Sequence, residues 1–106
     1  MKLLLDECLP QDLRHHLPGH DIRTVGYMRW NGIKNGRLLQ LAAADRFDAL
    51  LTTDAGIPHQ HNPVTLPLSI IVLDSNSNAL PDLLKVAPDL LRILPSIRPC
   101  SIVYVP

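Results

Sequence analysis

Aromatic side chains are scarce in this chain: one Trp, two Tyr and one Phe, 4% of 106 residues. Its core therefore has to be built from Leu, Ile, Val and Ala, which fit a hydrophobic content of 46%. Cysteine is almost missing too. Cys8 and Cys100 stand alone, too few for a disulfide framework. With no secretory leader legible, they read as the reduced thiols of a cytoplasmic protein. Neither sign of charge is in excess, and the formal net charge is +0 at pH 7. A global basic field that would gather nucleic acid is thereby excluded, and so is an acidic tail. Nucleic acid has to be met by locally clustered basic residues or by metal ions facing its phosphates. No run approaches the roughly 18 apolar residues that span a bilayer, so no membrane partner is expected. The length fits one domain, residues 1–106.

Proline, by contrast, is abundant, with ten in the chain, and it punctuates the pattern. The most conspicuous stretch is Lys2-Leu3-Leu4-Leu5-Asp6-Glu7, an apolar run that ends abruptly in two carboxylates. Such a run reads as a buried strand, and Pro10 just beyond suits the first turn of a helix. Leu9, Leu13 and Leu17 recur every four residues and predict a short helix over Pro10–Leu17, closed by Pro18-Gly19. Asp21–Val25 alternates and reads as a second strand. Tyr27–Gly36 is a connection with turn signals at Asn31-Gly32 and Asn35-Gly36. A helix is predicted over Arg37–Ala44, Gly36 being a poor helix former. Ala49–Thr53 and Leu68–Leu73 are further strands. The proline-studded segment 55–67 between them reads as a long polar loop without helix. Leucines across Ala79–Leu94 have helical spacing, with an interruption or kink expected at Pro88, and Ser101–Val105 is a last strand.

Strands thus alternate with helices. The expected fold is α/β: one compact domain with a mainly parallel sheet flanked by helices and right-handed crossovers. In that arrangement Asp6, Glu7, Asp54 and Asp74, each directly after a predicted strand, lie along one sheet edge. Clustered carboxylates raise one another's pKa unless cations neutralise them. A hard divalent ion, held by one or a few carboxylates and water, is the usual answer, and it activates water against a phosphoryl group. The plainer reading is that acids after strands end the strands and face water.

The segments Leu4-Leu5-Asp6-Glu7-Cys8-Leu9-Pro10, Leu17-Pro18-Gly19-His20-Asp21-Ile22 and Leu50-Leu51-Thr52-Thr53-Asp54 resemble the small PIN-like proteins of the family known as DUF5615. The resemblance covers most of the chain in order and is clearest in residues 3–54. It implies a PIN-like fold and a Mg2+- or Mn2+-dependent endoribonuclease, the toxin of a type II toxin–antitoxin pair. Asp6, Glu7 and Asp54 would be its catalytic and metal-holding acids. The implied partners are an RNA substrate and a small antitoxin protein; a homodimer is also admitted. Two positions depart from the pattern. Asn35 stands where the family has an Asp, and Gly56 where it has a second Asp after Asp54. Asn35 retains an oxygen ligand without the charge, and Asp74 is a candidate replacement.

Among other residues, Arg23, Arg29, Lys34 and Arg37 flank the second connection, either as contacts for RNA phosphates or as a solvated face. Tyr27 and Trp30 beside them suit base stacking, or in the case of Trp30 a packing anchor. His59 and His61 in the long loop read as solvated, His20 as a hydrogen bonder in a turn, and Cys8 as a small buried hydrophobe. Two alternatives remain beside the ribonuclease. One is a PIN-like binding protein with little or no catalysis. The other is a receiver-like phosphoacceptor using Asp54, against which stands the lack of a lysine after Ser101.

Overall fold

The computed structural model describes the backbone of residues 1–106 and every side chain except that of Pro63. Five strands, β1 (Lys2–Leu5), β2 (Asp21–Thr24), β3 (Ala49–Thr52), β4 (Ser69–Leu73) and β5 (Ile102–Val105), form one sheet in the order β2-β1-β3-β4-β5. Every pairing is parallel. The helices are α1 (Asn35–Ala44) and α2 (Leu80–Ile93).

The central strands are apolar because both of their faces are covered. Leu3, Leu4 and Leu5 are each 0% exposed, and β3 and β4 are buried throughout. Alternate residues feed two separate cores. Leu3 and Leu5 pack with Leu13 and Leu17 and with Leu83, Val86 and Leu90 of α2. Leu4 packs on the other face with Leu38, Leu39 and Ala42 of α1, Phe47, Ile57 and Leu66. The edges differ in character: β2 presents Asp21 and Arg23, whereas β5 carries no charged residue.

This distribution fixes the relative hand of the crossovers. The β1–β2 connection steps one way across the first face. The β2–β3 and β3–β4 connections step the opposite way across the second face, so these three share one hand. The β4–β5 connection steps toward β5 across the first face, so its hand is opposite to theirs. If the first three follow the right-handed rule, the last departs from it. The cause is packing: α2 carries its leucines to Leu13 and Leu17, on the face that α1 and residues 57–68 leave open. The outer face of β5 is left without a helix, and Tyr104 on it is 54% exposed.

Several expected elements are corrected. The predicted helix over Pro10–Leu17 is a 3-10 helix, Gln11–His16, without a side-chain cap, a tighter winding suited to so short a span between Pro10 and Pro18-Gly19. α1 begins two residues before Arg37 and includes Gly36, tertiary packing of Leu38 and Leu39 overriding propensity. α2 runs through Pro88 as one element, with Pro88 on its exposed side. The segment 55–67 is not free of helix: it contains a 3-10 turn at Ile57–Gln60 anchored by buried Ile57 and Pro58, and a second at Pro63–Thr65. Strand ends at Val25, Thr53, Leu68 and Ser101 fall one residue inside the expected limits.

α1 ends in a Schellman turn, in which the Phe47 N–H donates to Ala42 O at 2.9 Å and the Arg46 N–H to Ala43 O at 3.0 Å. Arg46, at φ 64, occupies the left-handed position that glycine normally takes. Arg46→Gly is expected to raise stability by up to about 1 kcal/mol, read as a higher denaturant midpoint with unchanged slope. His20 supplies a pH test. Burial first, and the nearby N-terminal ammonium second, lower its pKa below 6.5. The unfolded chain then takes up this proton first as pH falls, so the His20 contribution to stability is lost on acidification from about 6.5 downward. His20→Gln should flatten that dependence in urea unfolding measured between pH 7.5 and 5.

Candidate functional site at the carboxyl edge of the sheet

The sheet order reverses between β1 and β3, and in open parallel sheets such a crevice outside the carboxyl ends of the strands is where ligands bind. Asp6 and Asp54 stand at that reversal. The Asp6 N–H continues the ladder onto Leu51 O at 3.0 Å, which fixes its backbone against β3.

The hub of the site is Thr52, whose side chain is fully buried. Its hydroxyl donates to Asp6 Oδ2 at 2.8 Å and accepts the Asp54 N–H at 3.0 Å. One hydroxyl thus ties the Asp6 carboxylate to the Asp54 backbone on the neighbouring strand, while the Asp54 carboxylate turns to the Gly56 amide. The other Asp6 oxygen, Oδ1, accepts the Glu7 N–H at 2.9 Å. Cys8 is half-buried, and its thiol lies 3.7 Å from Asp6 Oδ2, 3.7 Å from the Thr52 hydroxyl and 3.5 Å from that of Thr53. The reading of Cys8 as a mere small hydrophobe is corrected here: it packs against the core on one side and lines the polar unit on the other. The Thr53 hydroxyl in turn donates to Asn78 Oδ1, in the turn leaving β4.

Asp54 shapes the next turn, its Oδ1 accepting the Gly56 N–H at 2.8 Å. A Cβ at position 56 would stand 3.1 Å from that oxygen, closer than side chains comfortably pack. Glycine here therefore leaves room for the carboxylate to close on its own backbone.

The remaining candidates spread outward. Glu7 is exposed and its Oε1 accepts the Gly32 N–H at 2.7 Å, so it pins the 26–32 loop to the edge. Asn35 donates from Nδ2 to Gln60 Oε1 at 3.4 Å, which ties the start of α1 to the 57–60 turn. Asp74 follows β4 and lines a separate cavity of about 490 Å3 with Thr53, Leu73 and Tyr104. It makes no hydrogen bond to Asp6 or Asp54 among the described residues. Of the basic residues, Arg23 pairs with Asp21 and lies 5.9 Å from the Tyr27 ring, and Arg37 lines a cavity beside His61. Trp30 is a packing anchor, edge-on to Phe47 at 6.0 Å, while Tyr27 is 72% exposed.

The electrostatics of the edge are one-sided. Among the described residues, none of Asp6, Glu7, Asp54 and Asp74 has a Lys, Arg or His partner within ion-pair distance. Nor do any three His, Cys, Asp or Glu side chains among them gather in a metal-holding group. Asp6 and Asp54 are the two carboxylates that the strand reversal offers, too few to enclose a cation by protein ligands alone. No helix among the described residues is long and apolar enough to cross a membrane. Comparison with protein-family models, curated proteins and solved structures gave no match.

Sequence reasoning missed Thr52, Thr53 and Asn78. A hydroxyl directly after two leucines at the end of a predicted buried strand was the available signal for Thr52, since a buried hydroxyl demands a partner. Thr52→Val keeps the shape and removes both hydrogen bonds. It is expected to cost about 1–3 kcal/mol, while Thr52→Ser, which keeps the hydroxyl, should lose less, both read from chemical unfolding.

Proposed function

We propose that the chain is a metal-dependent ribonuclease of PIN-like type, hydrolysing RNA phosphodiesters at the carboxyl edge of its sheet. It would act in the cytoplasm as the toxin of a type II toxin–antitoxin pair, held by a small antitoxin protein. The observation that carries the reading is the Asp6–Thr52–Asp54 arrangement: two acids without a cationic partner among the described residues, the carboxylate of one joined through Thr52 to the backbone of the other where the strand order reverses. The resemblance of residues 3–54 to PIN-like proteins supports the same chemistry.

In this reading Asp6 and Asp54, with Glu7 beside them, would hold Mg2+ or Mn2+. A bound ion of this kind supplies an activated water and offsets charge on the phosphoryl group. Thr52 keeps the Asp6 carboxylate in one orientation, and the Glu7 N–H on Oδ1 holds it from the other side. Glu7 fixes the loop that borders the site. The test is incubation of the purified protein with single-stranded RNA and manganese beside Asp6→Asn. Cleavage should fall by about 100-fold or more, beyond what loss of an outer-sphere partner costs. Equal cleavage by both proteins rejects this assignment.

A second reading is supported by a specific observation. Both Asp6 oxygens already accept protein donors, and Asn35 and Gly56 replace acids of the family pattern. A PIN-like binding protein without catalysis has those properties. Calorimetric titration with manganese separates the two: no heat of binding favours the binding protein.

A further inference from the structure

Two cavities adjoin on the β2 side of the acidic edge. One, of about 350 Å3, is lined by Gln11, Arg14, Arg23, Thr24 and Tyr27 among others. The second, of about 310 Å3, is lined by Asp6, Glu7, Gln11, Thr24 and Asn31 among others. Gln11 and Thr24 line both, so the two lie side by side as a groove, with Arg14, the Arg23–Asp21 pair and Tyr27 at one end and Asp6 and Glu7 at the other.

The cationic end is built for more than charge. Tyr27 is 72% exposed, yet its backbone is held, its N–H donating to Thr24 Oγ1 at 3.0 Å. Arg23 donates from Nε and Nη2 to Asp21 at 3.4 and 3.3 Å, which directs its guanidinium to 5.9 Å from the Tyr27 ring. Its charge is thereby matched within the protein. Arg14 is exposed and, among the described residues, forms no ion pair. The groove thus offers an exposed ring on a held backbone for a base, a guanidinium without an ion-pair partner among the described residues for a phosphate, and a neighbouring cavity that reaches Asp6.

We infer that a single strand of RNA enters this groove with a base stacked on Tyr27 and a phosphate on Arg14, and continues across Gln11 and Thr24 toward Asp6. The inference rests on the ribonuclease reading and states where its substrate lies. Stacking of bases on exposed aromatics combined with cationic tracking of the backbone is how single strands are held without sequence preference. An acidic peptide meets Arg14 equally well, but it has no base for Tyr27.

The test is fluorescence anisotropy with a labelled oligouridylate in the presence of a chelator, so that binding is read without cleavage. Tyr27→Ala and Arg14→Ala should each weaken binding by about tenfold. Arg14→Ala should also lower the slope of log affinity against log salt by about 0.7. Tyr27→Phe and Arg92→Ala, the latter on α2, should bind like the wild type. Unchanged binding by both Arg14→Ala and Tyr27→Ala overturns the groove, as does an oligoglutamate that competes as well as the RNA. The two readings fail separately. RNA bound through Arg14 and Tyr27 but never cleaved with manganese keeps the groove and removes the ribonuclease. Cleavage by both variants with unaltered KM removes the groove and keeps the ribonuclease.

Discussion

A strand buried on both faces has to be apolar along its whole length and can change character only where it leaves the sheet. β1 obeys this constraint, with three fully buried leucines followed at once by Asp6. The same holds for β3 and β4, whose buried runs give way to Asp54 and Asp74. The parallel pairing then aligns those exits along one edge, so the chemistry collects there as a by-product of how the core is made. Thr52 is the one polar side chain of β3, and it is tolerated because Asp6 and Asp54 satisfy it.

The site follows from small geometric choices around that hydroxyl. Asp6 is held from two sides, Asp54 closes on the Gly56 amide, and Glu7 is spent on the 26–32 loop. This division of labour separates acids that the sequence shows as one group. Asp6 and Asp54 form a unit, Glu7 serves the loop, and Asp74 belongs to the cavity beside Tyr104. The basic residues divide in the same way, with Arg23 turned toward Tyr27 and Arg37 lining the cavity between α1 and residues 61–67.

Much of the fold was legible in the residues because strand burial leaves a strong mark. The Leu3–Leu5 and Ile70–Leu73 runs and the alternation at β2 placed every strand to within a residue. The edge position of Asp6, Asp54 and Asp74 followed from the alternating order of elements. What escaped were outcomes decided by packing between distant segments. Leu38 and Leu39 pull Gly36 into α1, and buried Ile57 and Pro58 wind a turn inside a proline-rich loop. The leucines of α2 draw the last crossover to the face carrying Leu13. None of these shows in a local window. Thr52 escaped for a related reason: its partners are 46 residues away on one side and two residues away on the other.

That separation has a temporal meaning. The Asp6 carboxylate and the Thr52 hydroxyl meet only after β1 has paired with β3, a non-local contact of the kind that forms late and slowly. A nascent chain that has emerged only as far as β2 already carries Asp6 and Glu7 but has no site. The whole acidic unit comes into being in the same event that closes the centre of the sheet. Any agent that holds β1 and β3 apart, such as a partner captured during synthesis, would silence the site without touching it.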